Sequence, residues 1–168
     1  MAYGDSTIQG TVIRNPGPIT DNVWKGDGSD TWKKGQLLMK STDGTVNICS
    51  ASHATNGIHL VAMTDVDVAV TTYVSVMEIL PSTEFEVQLH HDTPASAVPA
   101  DSQKGQQFAF VVASNVWGLD LEDESAPDFE VTEIYQDYFS HDPAGNGAGQ
   151  FGLVRAKVLS SRITAAPA

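Results

Sequence analysis

The sequence predicts an all-β protein, an antiparallel β-sandwich or β-barrel of jelly-roll type with an irregular N-terminal arm. Three observations predict it. Apolar residues recur at period two in about ten short runs, the spacing of strands with one covered face. Gly, Pro, Asn and Asp separate the runs, and these residues form turns. No convincing helical period appears, and strands do not alternate with helices, which argues against α/β architectures.

The first run spans Thr7 to Arg14. From Asn15 to Trp32 the pattern breaks at Pro16, Gly17, Pro18, Gly26 and Gly28, yet Trp24 and Trp32 lie in this stretch. Two such rings in a loop-like segment lie either on the edge of the protein's own core or on a neighbour. Gln36 to Lys40 and Thr45 to Cys49 flank Ser41-Thr42-Asp43-Gly44, and Asp-Gly between alternating runs is a strong hairpin signal. Ile58 to Met63 follows the turn pair Asn56-Gly57. Val68 to Ile79 is the longest run, rich in β-branched residues, and Pro81 ends it. Glu84 to His90 alternates most cleanly, with Phe85, Val87 and Leu89 on a core face and Glu84, Glu86, Gln88 and His90 on a wet one. Ala95 to Gln107 has room for one short turn of helix beside Pro94 and Pro99. Gln107 to Val112, Val116 to Leu121, Phe129 to Tyr135 and Phe151 to Leu159 complete the strands, the last with Arg155 and Lys157 outward. Asp142 to Gln150 reads as a loop. No internal repeat of fixed period is visible. The expected organisation is an N-terminal strand and arm over 1–34, a single β domain over 35–163 and a flexible tail over 164–168.

The chain has 168 residues and a net charge of −12, unevenly distributed. Between Ser41 and Val154 the only basic residue is Lys104, against seventeen Asp and Glu. Residues 1–40 carry five cations and four acids, and residues 155–168 carry three cations and none. A body this acidic repels phosphate backbones, so a nucleic-acid partner is not expected. The two ends escape that repulsion and are candidate docking segments for an acidic partner. Cys49 is alone, which rules out an internal disulfide and suits a reducing compartment. Neither a secretory signal nor an apolar run long enough to span a bilayer is present, so no membrane partner is expected.

Chemistry requires constellations of side chains. Gly145-Asn146-Gly147-Ala148-Gly149 precedes a strand rather than opening a helix and lacks the phosphate-binding spacing. His90 and His91 are the only pair with metal-ligand character, but neighbours in a strand face opposite ways. Asp120, Glu122, Asp123, Glu124, Asp128 and Glu130 crowd one stretch without an EF-hand order. Cys49 sits in an apolar alternating run, the setting of an inert thiol. No Gly-x-Ser-x-Gly elbow occurs. The expectation is a protein that is not an enzyme, with no catalytic residue, no metal and no cofactor.

One order of elements carries more. Lys34-Gly35-Gln36 opens a strand, the Asp43-Gly44 hairpin follows, and then Asn56-Gly57-Ile58. Val74 to Leu80 leads to Phe85-Glu86-Val87, Lys104-Gly105-Gln106 opens another strand, and Asn115-Val116-Trp117-Gly118 precedes Phe129-Glu130-Val131. Over Lys34 to Ile134 this resembles the head decoration, or cement, proteins of tailed bacteriophages. The resemblance implies a β-sandwich or barrel that forms a homotrimer and braces the outer surface of an icosahedral shell. Its partner would be the major capsid protein, its location the virion's outer surface after synthesis in the host cytoplasm, and no catalytic residue carries over. The residues expected to dock on the capsid are Trp24, Lys25, Trp32, Lys33 and Lys34, where cations would meet acidic sites and rings fill apolar pockets. Two other readings of the residues stay open. A carbohydrate- or host-surface-binding module of a fibre or spike would use Tyr73, Trp117, Tyr135 and Tyr138. A metal-dependent β-barrel enzyme would use His90, His91 and nearby carboxylates.

Overall fold

The computed structural model describes residues 10–49, 57–91, 96–97, 99–113, 116–134 and 152–164. Within them the strands are β1 (Thr11–Arg14), β2 (Ile19–Thr20), β3 (Lys25–Gly26), β4 (Leu37–Lys40), β5 (Thr45–Ile48) and β6 (Leu60–Ala62). They continue with β7 (Val76–Glu78), β8 (Glu84–His90), β9 (Gln107–Ala113), β10 (Val116–Asp120), β11 (Phe129–Ile134) and β12 (Leu153–Val158). The protein is nearly all β, and a closed five-stranded barrel stands beside a second sheet.

The barrel runs β8-β10-β9-β11-β12 and closes where β12 returns to β8, from Leu153 opposite Gln88 to Lys157 opposite Glu84. On its other edge β8 is paired by β1 along its first half and by β10, in parallel, at Leu89 and His90. Strand alternation sends Phe85, Val87, Leu89, Phe108, Phe110, Trp117, Leu119, Phe129 and Val131 into one buried cluster. Its centre is aromatic. The Trp117 ring stacks on Phe129 at 5.2 Å between centroids and takes the edge of Phe85 at 5.5 Å.

The second sheet runs β2-β7-β6-β4-β5-β3. Leu37-Leu38-Met39 and Leu60-Val61-Ala62 are buried at every position, which requires cover on both faces. Leu37, Met39, Val61, Met77 and Ile79 belong to one cluster with the barrel interior. Leu38, Leu60, Ala62 and Val76 form a separate core with Trp32, Val46, Val66 and Val74.

The hairpin at Asp43-Gly44 forms as expected, with Lys40 opposite Val46 and Met39 opposite Asn47. The Asp43 carboxylate accepts from the Thr45 N–H at 3.0 Å and holds the turn. One 3-10 turn occupies Asp101–Gln103, inside the segment where a short turn was expected. A single helical turn at Ser160–Ile163 was not foreseen.

Three expectations are corrected. Of the run Val68 to Ile79, only Val76–Glu78 is strand. Earlier residues of that segment bond to the arm, through Gly26 N–H to Thr72 C=O and Gly28 N–H to Val70 C=O, both at 3.1 Å, and meet only the two-residue strand β3 there, through the single bridge Lys25–Tyr73. The wet face of Glu84 to His90 covers only its first half, because Gln88 and His90 are buried. There β8 is bonded on both edges, and a Cβ on Gly118 would collide with the His90 ring. The sheets are not wholly antiparallel either, since β8–β10 and β3–β5 run in parallel. The expected arm is built into both sheets, β1 edging the barrel and β2 and β3 edging the second sheet. The expected loop Asp142 to Gln150, residues 7–9 of the first run, Phe151 and tail residues 165–168 lie outside the described residues. Among the described residues, no helix is long and apolar enough to cross a membrane.

Candidate docking surface

The five residues expected to dock separate in the fold. Trp32 is 1% exposed in the second core, where its backbone bridges Val66. It serves packing, so truncating it would damage the fold before it tested any partner. Trp24 is half-buried against the same core, and the Lys40 ammonium lies over its ring at 5.0 Å. Lys25 is exposed and sits over the Tyr73 ring at 5.1 Å. Lys33 pairs with Asp67 and, at 3.4 Å, with Asp65, and the hydrogen bond to Asp67 above all raises its pKa. Lys34 donates its backbone N–H to Asp65 at 2.7 Å. Lys34 also lines a groove.

That groove encloses about 530 Å³ between the arm and the second sheet. Val12, Ile13, Ile19, Val61 and Met77 line it together with Lys34 and Gly35. Ile19 is 55% exposed on its rim. The adjoining Gly35 carbonyl accepts the Trp117 indole N–H at 2.9 Å, which ties the barrel core to the groove wall. Sequence reasoning reached Lys34 but missed the groove, because Ile19 and Met77 come from segments that only the sheet brings together.

The other candidates have structural settings. Burial lowers the His90 pKa to about 4 and keeps the ring neutral. The His91 Nδ1 lies 3.8 Å from the Glu122 carboxylate. His90 and His91 are successive residues at the end of β8, and among the described residues no three His, Cys, Asp or Glu side chains group as metal ligands. Asp92 lies outside the described residues. The acidic stretch holds its own turns. Asp120 accepts from the Glu122 N–H at 3.0 Å and Asp123 from the Ser125 N–H at 2.9 Å, and the Ser125 bonds lower the Asp123 pKa. Asp128 is buried beside Arg162 at 2.9 Å, and Glu130 pairs with Lys157 at 3.2 Å. Trp117 has no exposed surface and offers no ring to a sugar. Tyr73 is 53% exposed beneath Lys25, and Tyr135 and Tyr138 lie outside the described residues.

Burial pushes the Cys49 thiol well above its ordinary range. The thiol is therefore expected to resist a disulfide-exchange reagent in the folded protein and to react at once in denaturant. Stoichiometric labelling under native conditions would show that the site opens.

Two buried side chains cap strands in a way the sequence reading did not anticipate, His59 and Asp128, the latter read there only as part of the acidic stretch. His59 Nδ1 accepts the Lys40 N–H at 3.0 Å, and an Asp128 oxygen accepts the Phe110 N–H at 3.3 Å. Each is the polar residue immediately before a strand, a signal legible only with the pairing in hand.

Among known proteins, the chain matches no family model and no curated protein sequence.

Proposed function

We propose that the protein is a virion structural component that binds the outer surface of an icosahedral phage shell and braces it, acting by attachment rather than catalysis. The observation that carries this reading is the contact between Gly35 and Trp117. These residues come from the Lys-Gly strand opening and the Asn-x-Trp segment on which the resemblance to head decoration proteins rests. Their hydrogen bond brings the two segments together in this fold, which supports reading them as one signature rather than two isolated tripeptides. Supporting it, the acidic body suits a protein displayed on a particle that must not aggregate.

The docking patch in this reading is Lys34 and the apolar groove, and its occupant is a segment of the major capsid protein with apolar side chains and an acidic residue for Lys34. A homotrimer would add avidity, because one attached subunit raises the effective concentration of the others.

The test uses shells of the cognate capsid protein without decoration, sedimented with the purified protein, and light scattering of the protein alone. Wild type is expected to co-sediment and to have three times the 17.9 kDa chain mass. Ile19→Asp with Lys34→Glu is expected to weaken shell binding by about tenfold or more, at unchanged circular dichroism. Wild type that stays in the supernatant overturns the function. Wild type that binds, with a variant that binds equally well, overturns only the patch. Retention on a sugar column in place of shell binding would favour the carbohydrate-binding reading.

A further inference from the structure

Two Lys-Gly-Gln triplets, at 34–36 and 104–106, open β4 and β9. Both form the same turn. The Gln36 N–H bonds to the Lys33 carbonyl at 3.1 Å and the Gln106 N–H to the Gln103 carbonyl at 2.9 Å, with Gly35 at φ +90° and Gly105 at +82°. Each glycine N–H then donates at 2.8 Å to the neighbouring strand, to Ala62 or to Val131. Ala62 and Val131 return a bond to the Gln36 and Gln106 carbonyls at 2.9 and 3.0 Å.

The likeness continues through the strand registers. Leu38 stands opposite Leu60 as Phe108 stands opposite Phe129. Lys40 meets Val46 as Phe110 meets Leu119. Val61 meets Met77 as Glu130 meets Lys157, and Thr20 meets Val76 as Phe85 meets Ala156. Lys25 bridges Tyr73 as Gln88 meets Leu153. The parallel contacts match as well, Gly26 with Val46 and Leu89 with Leu119. The side-chain caps from His59 and Asp128 fall at equivalent places. Thus β2 and β3 together occupy the position that β8 fills alone. Equivalent residues are separated by anything from 63 positions (Gly26 to Leu89) to 80 (Val76 to Ala156), so no fixed period exists to be found.

Interior positions agree in character between the units: Leu38, Val46, Leu60 and Val76 in one core, Phe108, Leu119, Phe129 and Ala156 in the other. Outer positions do not. Leu37, Val61 and Met77 are buried in one cluster with the interior of the second unit. Their counterparts are Gln107, which is exposed, and the ion pair Glu130–Lys157.

We propose that the chain is a tandem duplication of one five-strand unit joined head to tail, and that polar residues on the outer face of the second copy end the series after two. A head-to-tail contact leaves the accepting face of the last copy open, and an unmodified face would recruit another chain without closing. Arrays of like units are stopped in this way, by a terminal unit with a polar outer face. The disabled surface is that of Gln107, Glu130 and Lys157, and the partner it would accept is a second copy of this chain.

The test restores the first unit's residues in the full chain, Gln107→Leu with Glu130→Val and Lys157→Met, and follows molar mass by light scattering over a concentration series. The mass is expected to grow with concentration beyond that of wild type. A charge-matched control at exposed sites elsewhere, Asp21→Val with Asn22→Leu and Lys104→Met, is expected to keep the wild-type mass. No growth in a folded variant overturns the proposal, and so does equal growth in the control. Should the variant not fold, cross-strand NMR contacts in wild type decide: both members of each matched pair of registers must appear, and a one-residue shift in either unit overturns the duplication.

Discussion

Replacing Trp117 by alanine is expected to lower the unfolding free energy by about 3–5 kcal/mol, the usual range for losing a large aromatic from a packed core. The ring has no exposed surface, stacks on Phe129 and meets the edge of Phe85. Its removal opens a cavity at the centre of the barrel and leaves the Gly35 carbonyl without the indole donor. Trp117→Phe separates the two effects. It keeps a ring in the stack, removes the donor, and is expected to cost about 1–3 kcal/mol, most of it from the unanswered carbonyl. Urea unfolding monitored by circular dichroism measures both. Equal losses in the two variants would show that the hydrogen bond, and not the packing, dominates. Losses within experimental error in both would contradict the placement of this ring.

Removing Arg162 is expected to cost about 3–5 kcal/mol near neutral pH, because it abandons a buried carboxylate. Asp128 is 4% exposed, and Arg162 Nε lies 2.9 Å from it while also bonding the Pro127 carbonyl. Burial raises the Asp128 pKa to about 6 against the opposing pull of Arg162. The sign of the pH effect follows. The folded state holds the Asp128 proton up to about pH 6, whereas the unfolded chain releases it near the ordinary aspartate value of 3.8. Between these values the native state binds more protons, so this group's contribution to stability falls as pH rises. In Arg162→Ala the opposing pull is gone, and the deficit is expected to shrink as the sample is acidified toward pH 5. His90 acts in the opposite sense. Its folded pKa of about 4 lies below the ordinary histidine value of 6.5, so its contribution is lost as pH falls through that window. Asp128→Asn therefore removes one slope and exposes the other: its stability is expected to rise with pH from about 4 to 6.5, more steeply than that of wild type. A deficit in Arg162→Ala that does not vary with pH would sink this account.

Much of the fold was legible because local chemistry decides it. Period-two alternation placed Phe85, Val87 and Leu89 on one side of a strand whatever its neighbours, and Asp43-Gly44 specified a tight turn by backbone preference alone. The charge distribution is likewise a property of the sequence. Of the docking residues, Lys25, Lys33 and Lys34 are exposed, as long cationic side chains prefer to be.

Only the tertiary structure decided the rest. Alternation states which residues share a face but not which strand lies alongside. The barrel closure of β12 on β8, the parallel contact with β10 and the burial of Gln88 and His90 all follow from strand pairing. Trp32 and Trp24 read alike in the sequence. Packing against Val66 buried the first completely, whereas the second stayed half-covered beneath Lys40. The two matching units stayed hidden for the same reason. Equivalence resides in registers and backbone bonds, which tolerate Leu for Phe inside and Val for Glu outside, and a sequence records side chains rather than the bonds between strands.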